Sequence, residues 1–151
     1  YIEIEEGPYL VLPAEQAQDN GERPVNVTPS NFVWLDASNT SLIEPSPTGT
    51  NEGAMVAYLW GKPQSRQPYG TLVKLPAGFA GELRSQAELL QAVVIDGQVQ
   101  LRLPGDPDFK LLASGSYVSS QGKVKHQIEC GSADGCLVYV RSRGRFTIHS
   151  Q

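Results

Sequence analysis

The chain has 151 residues, with 12 basic and 16 acidic side chains and a net charge of −4. That length suits one domain, which buries roughly two-thirds of its unfolded surface and needs no staples to hold a core. Scattered charges of mildly acidic sum argue against nucleic acid or an anionic membrane as partner, and no apolar run reaches the roughly 20 residues of a bilayer-spanning helix.

Its 15 glycines and 11 prolines break the apolar residues into short runs. This is the texture of many short strands joined by turns. Residues 1–6 and 9–12 read as strand, interrupted by Gly7-Pro8. Residues 14–31 are polar and carry Asn20-Gly21, Pro24 and Pro29, a long surface connection. Residues 31–36 (NFVWLD) read as a short strand, 37–53 as loop, 54–60 (AMVAYLW) as a strongly apolar strand, and 61–69 as a turn region.

Residues 70–75 and 81–86 are predicted strands around the turn Pro76-Ala77-Gly78. Residues 89–95 and 98–103 flank Asp96-Gly97, which predicts a hairpin, because a type I′ turn needs φ > 0 at both central positions. In that register Val94 faces Val99, Ala92 faces Leu101 and Leu90 faces Leu103. One face is then apolar, while Gln91, Gln98, Gln100 and Arg102 occupy the other. After a turn at 104–107, strands are predicted at 109–112, 116–119, 123–130, 136–141 and 145–149. Residues 14–18 and 87–90 have room for a helical turn, but no longer segment keeps a helical period. Roughly a dozen strands with turns about every 8–12 residues imply an all-β sandwich or barrel of antiparallel strands.

One internal echo links the two ends: YIEIEEGPYLV at the start is similar to YVRSRGRFTI near the end, with one gap. It suggests that the chain opens on the last strand pair of one repeat and then holds a complete second repeat. The alternative is two unrelated edge strands. Cys130 and Cys136 are the whole thiol inventory and flank the turn-rich Gly-Ser-Ala-Asp-Gly. Either they bridge across that loop, which an oxidising compartment would favour, or they are two reduced, partly buried residues. No signal peptide is visible, and the abrupt start at Tyr1 is read as a missing upstream segment.

Residues 75–97 (LPAGFAGELRSQAELLQAVVIDG) resemble the first metal-binding motif of the cupin superfamily: Gly, five residues, His-x-His, three or four residues, Glu, six residues, Gly. Gly78 starts the motif and Gly97 ends it, but the His positions fall on Arg84 and Gln86, and the Glu on Leu90 or Gln91. The second motif, Pro-x-Gly followed by His, is represented by Ser114-Gly115 and His126, without the Pro. The texture of GPYLVLP, NVTPSNFVWLD, GTLVKLPAGF, GSYVSSQGKVKHQI and CLVYVRSRGRF is similar to the two-repeat, ChrR-like cupins of unknown function. The resemblance implies an RmlC-like double-stranded β-helix, the jelly-roll barrel, with its pocket inside. Residues 31–151 would form that barrel, and residues 1–30 the strands and connection left from a preceding repeat.

Strand parity places the candidate site. If pairing is regular, Arg84, Gln86, Leu90, Ala92 and Val94 share the inward face, and His126 points inward with Val124 and Ile128. A cupin metal is usually held by several His and a carboxylate. Here His126 is the only strong ligand: Arg84 offers donors alone and repels a cation, Gln86 is weak, and Leu90 is none. No cofactor is therefore expected. Instead Arg84 would pair a carboxylate or phosphate on a small ligand, with Gln86, Gln91 and His126 beside it and Tyr58, Trp60, Tyr117 and Tyr139 as aromatic walls. The plainer alternative has Arg84 paired internally with Glu82 or Glu88 and the aromatics as ordinary core.

Other signals are weaker. Asn26-Val27-Thr28 and Asn39-Thr40-Ser41 fit the glycosylation acceptor pattern, which is common by chance, and Ser114 lacks the context of a nucleophile elbow. His149 reads as a frayed, solvent-facing end, and Arg141, Arg143 and Arg145 as a solvated face or dimer edge. The expected function is a metal-poor binding or sensory module for a small molecule, a homodimer with no nucleic-acid or membrane partner. The alternatives are a metal-dependent dioxygenase or isomerase using His126, and the structural half of a two-repeat protein. The residues specify no reaction, so the balance favours binding over catalysis. The cysteine pair tilts the expected location toward periplasm or secretion rather than cytoplasm.

Overall fold

A computed structural model describes residues 27–45, 53–65 and 67–151. The strands expected at 1–6 and 9–12, the helical turn at 14–18, and the terminal echo that depends on the chain start lie outside these residues. After a 3-10 turn at Pro29–Asn31 the chain forms β1 (Ile43–Glu44), β2 (Met55–Trp60), β3 (Tyr69–Leu75), β4 (Ala80–Ser85), β5 (Leu89–Asp96) and β6 (Val99–Arg102). There follow β7 (Lys110–Leu112), β8 (Tyr117–Ser120), β9 (Val124–Cys130), β10 (Cys136–Arg143) and β11 (Phe146–Ser150). They build two sheets, one in the order β1-β11-β4-β9-β6-β7 and the other β2-β3-β10-β5-β8. All neighbours run antiparallel except β1 and β11. From β3 to β6 and again from β7 to β11, each strand lies in the sheet opposite its predecessor. This is the jelly-roll sandwich expected of a cupin-like barrel.

That alternation corrects the Asp96-Gly97 hairpin. β5 pairs with β10 and β8, whereas β6 pairs with β9 and β7. Gly97 has φ 81°, but no non-glycine residue among those described has positive φ, so the type I′ turn is absent and the chain passes to the other sheet. A Cβ at Gly97 would lie 2.6 Å from the Gly135 carbonyl oxygen, so the crossover also needs the missing side chain. The expected faces survive the change of partners. Leu90, Ala92 and Val94 are buried on β5, and Val99 and Leu101 on β6, because both sheets turn the same alternating positions inward.

The stretch at 31–36 is not a strand. Only Leu35 bridges, exchanging backbone hydrogen bonds with Val56 at 2.8 and 2.9 Å. Trp34 instead meets Phe32 edge to face, at 6.0 Å between ring centroids, and lies beneath the Lys74 ammonium. Residues 87–90 hold no helical turn either, since β5 begins at Leu89.

Side chains from the two inner faces form one core that includes Val73, Leu75, Val140, Ile128 and Ile148. Fully burying each such aliphatic side chain contributes about 1.5–3 kcal/mol. At one end Tyr69 stacks on Phe146, and its hydroxyl donates to the Gly144 carbonyl at 3.0 Å. The Cys130–Cys136 disulfide joins the end of β9 to the start of β10, with 5.9 Å between the Cα atoms. Since those strands belong to different sheets, the bridge ties one layer to the other.

Candidate functional site

A cavity of about 50 Å³ lies between the inner faces. Leu83, Leu101 and Ile128 line it from the six-stranded sheet, and Val73, Leu90 and Val140 from the five-stranded one. Among the described residues that line it, only His126 and Ser120 carry polar side-chain atoms.

His126 sits on β9, opposite Leu83 of β4, and is 5% exposed. It points inward as its parity with Ile128 predicts. Neither ring nitrogen has a hydrogen-bond partner among the described residues. Desolvation lowers its pKa from the ordinary 6.5, so at neutral pH the imidazole is uncharged and offers one donor and one acceptor. Ser120 ends β8 opposite Leu90, and its buried Oγ also has no partner among the described residues. Sequence reading missed Ser120 by ending the strand one residue early; its parity with the inward Val118 was the available signal.

Arg84 and Gln86 do not face the cavity. On β4 it is Leu83 that lines it, so the neighbouring Arg84 points out, with its side chain 41% exposed. Its Nε donates to Glu82 Oε2 at 2.7 Å, one of the two internal pairings the sequence offered. That contact holds the Glu82 carboxyl below its usual range. Gln86 is exposed in the crossover between sheets. The inward assignment failed because parity was carried from β5 back through residues 86–88, where the chain leaves one sheet for the other.

The remaining candidates also lie away from the cavity lining. On the outer face of the five-stranded sheet Arg141 Nη1 donates to Gln91 Oε1 at 2.9 Å, and Gln91 Nε2 donates to the Tyr117 hydroxyl at 2.9 Å. The Trp60 indole donates to the Tyr139 hydroxyl at 3.2 Å, over Gly70, where a Cβ would run into the indole. Tyr58, on the edge strand β2, bonds Thr40 through its hydroxyl at 2.6 Å. Arg141 is buried, Arg143 stands 3.9 Å from Glu88, and Arg145 reaches the Ser41 carbonyl, so the three arginines are not one solvated row. His149 is not a frayed end either. Its side chain is 12% exposed, with Nδ1 2.9 Å from Glu44 Oε2 and Nε2 2.9 Å from Thr147 Oγ1. Desolvation lowers its pKa, against the opposing pull of Glu44.

A metal of the usual cupin kind does not fit these residues. A divalent ion needs several imidazole or carboxylate donors converging on one point. Among the described residues no group of three or more His, Cys, Asp or Glu side chains converges in that way. Hydrocarbon surrounds His126, and the position of the motif's carboxylate holds Leu90, or Gln91 on the outer face. No helix among the described residues is long and apolar enough to cross a membrane.

Residues 1–149 match the model of a family described as "Domain of unknown function (DUF4437)". No curated protein matches the chain. Among solved structures, a polyketide cyclase RemF from Streptomyces resistomycificus superposes with a TM-score of 0.59 at 14% identity, covering 78% of this chain and 77% of that one. An RmlC-like cupin from Shewanella frigidimarina gives 0.56 at 13%, covering 77% and 86%. KdgF from a Halomonas species gives 0.56 at 18%, covering 78% and 92%. Likeness at these identities carries the fold alone.

Proposed function

Given that the chain belongs to the DUF4437 family and folds as a cupin barrel, we propose that it is a metal-poor small-molecule-binding or sensory module whose pocket lies inside the barrel. One observation carries the reading: the interior cavity is almost wholly hydrocarbon and contains a buried imidazole that no described residue satisfies. Buried polar groups in native proteins are nearly always hydrogen-bonded, so such a group at a cavity wall suits a partner from outside the chain.

The reading needs no catalysis. His126 at the wall is a gripping group, and the apolar lining excludes water from whatever it holds. Leu111 on β7 and Tyr117 on β8 are exposed on edge strands, which supports a homodimer formed along the sheet edges. The Cys130–Cys136 bridge supports an oxidising, periplasmic or secreted location. The likeness to two-repeat ChrR-like cupins belongs to the same reading.

Elemental analysis of protein purified without chelator tests it. The expected result is no stoichiometric transition metal. A full equivalent that disappears in His126→Ala overturns the reading in favour of a metal-dependent enzyme.

A further inference from the structure

The charge of the ligand can be argued from the walls, and this rests on the barrel interior being the binding site. His126 projects from β9 in the six-stranded sheet and Ser120 from β8 in the five-stranded sheet, so the two polar groups that described residues bring to the cavity come from opposite walls. Among the described residues no Lys, Arg, Asp or Glu lines the space. Arg84, the one cation the sequence offered as an anion partner, lies outside and is held by Glu82. An ion entering this space would lose its hydration with no counter-charge to meet it. A neutral group with one hydrogen-bonding function loses much less, and it would satisfy polar atoms that are otherwise buried without a partner.

Size narrows the class further. About 50 Å³ is a third of the roughly 150 Å³ of an engineered apolar cavity that accepts benzene. Scaling benzene's six heavy atoms by that ratio, the space admits a group of roughly two heavy atoms.

We propose that the cavity selects a small uncharged ligand, or the uncharged end of a longer one, whose single hydroxyl, carbonyl or amide is gripped by His126 and Ser120 while hydrocarbon walls take the rest. Burial supports the same division of labour, because it keeps the imidazole neutral and able both to donate and to accept.

The test titrates the full chain with isosteric pairs of probes that differ in charge, methanol against methylammonium and formamide against formate, with xenon as an apolar control. Long-range nitrogen–proton NMR signals of the His126 ring report binding to the wild type, and displacement of xenon followed by xenon NMR reports it in the variants. Methanol and formamide are expected to shift the ring signals with Kd values at least tenfold below those of the two ions. In the xenon displacement, His126→Leu should weaken formamide at least tenfold, and His126→Gln, which keeps a neutral donor and acceptor, should restore most of it. Formate or methylammonium binding as well as methanol would overturn the charge selection while leaving the barrel site intact. If no probe, xenon included, perturbs the ring or competes with water in the cavity, the barrel reading itself fails and the selection falls with it.

Discussion

Replacing His126 by leucine should make the protein more stable. The imidazole is 5% exposed, and both nitrogens lie buried without a partner among the described residues. Leaving a buried polar group unsatisfied costs about 1–3 kcal/mol, and leucine has similar bulk and no such group. At about 2–4 °C per kcal/mol for a chain of this size, the midpoint of thermal unfolding should rise by roughly 2–12 °C. The effect should also depend on pH. Burial lowers the folded-state pKa below 6.5, so as the pH falls through 6.5 the unfolded chain takes up the proton first. Wild-type stability therefore declines from pH 6.5 downward until the folded pKa is passed, and His126→Leu lacks this loss. Its advantage should widen between pH 7.5 and 5.5, while the His149 contribution, present in both proteins, cancels. Urea unfolding at the two pH values measures this directly. A variant destabilised by 1 kcal/mol or more with an unchanged m-value, or a gain identical at both pH values, would mean that His126 is satisfied in the folded protein and would refute the reasoning.

Three further outcomes are expected. Reducing the Cys130–Cys136 bridge, whose ends are six residues apart, should cost about 2 kcal/mol in urea unfolding, as loop-closure entropy estimates for so short a ring; no loss would show that the layers hold without it. Burial pushes the Tyr69 hydroxyl up to about 12, so stability should be intact below pH 10 and decline between pH 10 and 12 as the unfolded chain ionises first. Tyr69→Phe should cost about 1 kcal/mol at pH 7 through its lost bond to Gly144, yet flatten that alkaline decline. Arg84→Ala removes an outward, partly exposed ion pair and should change stability by less than about 0.5 kcal/mol, leaving the His126 ring signals unmoved; a large shift of those signals would place Arg84 at the cavity after all.

Burial was more legible in the sequence than pairing. Alternation along β5 and β9 places Leu90, Ala92, Val94, His126 and Ile128 inward, because a period of two reports which face a side chain takes. It does not say which strand lies beside it. Two apolar faces meeting across a sandwich and two neighbours in a hairpin show the same pattern, so Asp96-Gly97 read as a hairpin when it is a crossover. Parity is also lost wherever the chain changes sheet, which is why Arg84 and Gln86 were assigned to the wrong side. The reading of the three arginines as one solvated row, and of His149 as a frayed end, fails for another reason. Charge patterning along one strand does not reveal partners such as Gln91, Glu88, Ser41 and Glu44, which reach them from elsewhere in the chain.

The alternation of strands between sheets also governs when this chain can fold. Within the described residues only β2–β3 and β6–β7 are neighbours in both sequence and sheet. The five-stranded sheet has β10 at its centre, and the six-stranded sheet needs β11 to join β1 to β4. A growing chain therefore stays open until residues 136–150 have left the ribosome, and then closes both layers together. Such dependence on distant partners predicts slow, all-or-none folding, and a truncation before β10 should leave no partly folded barrel behind.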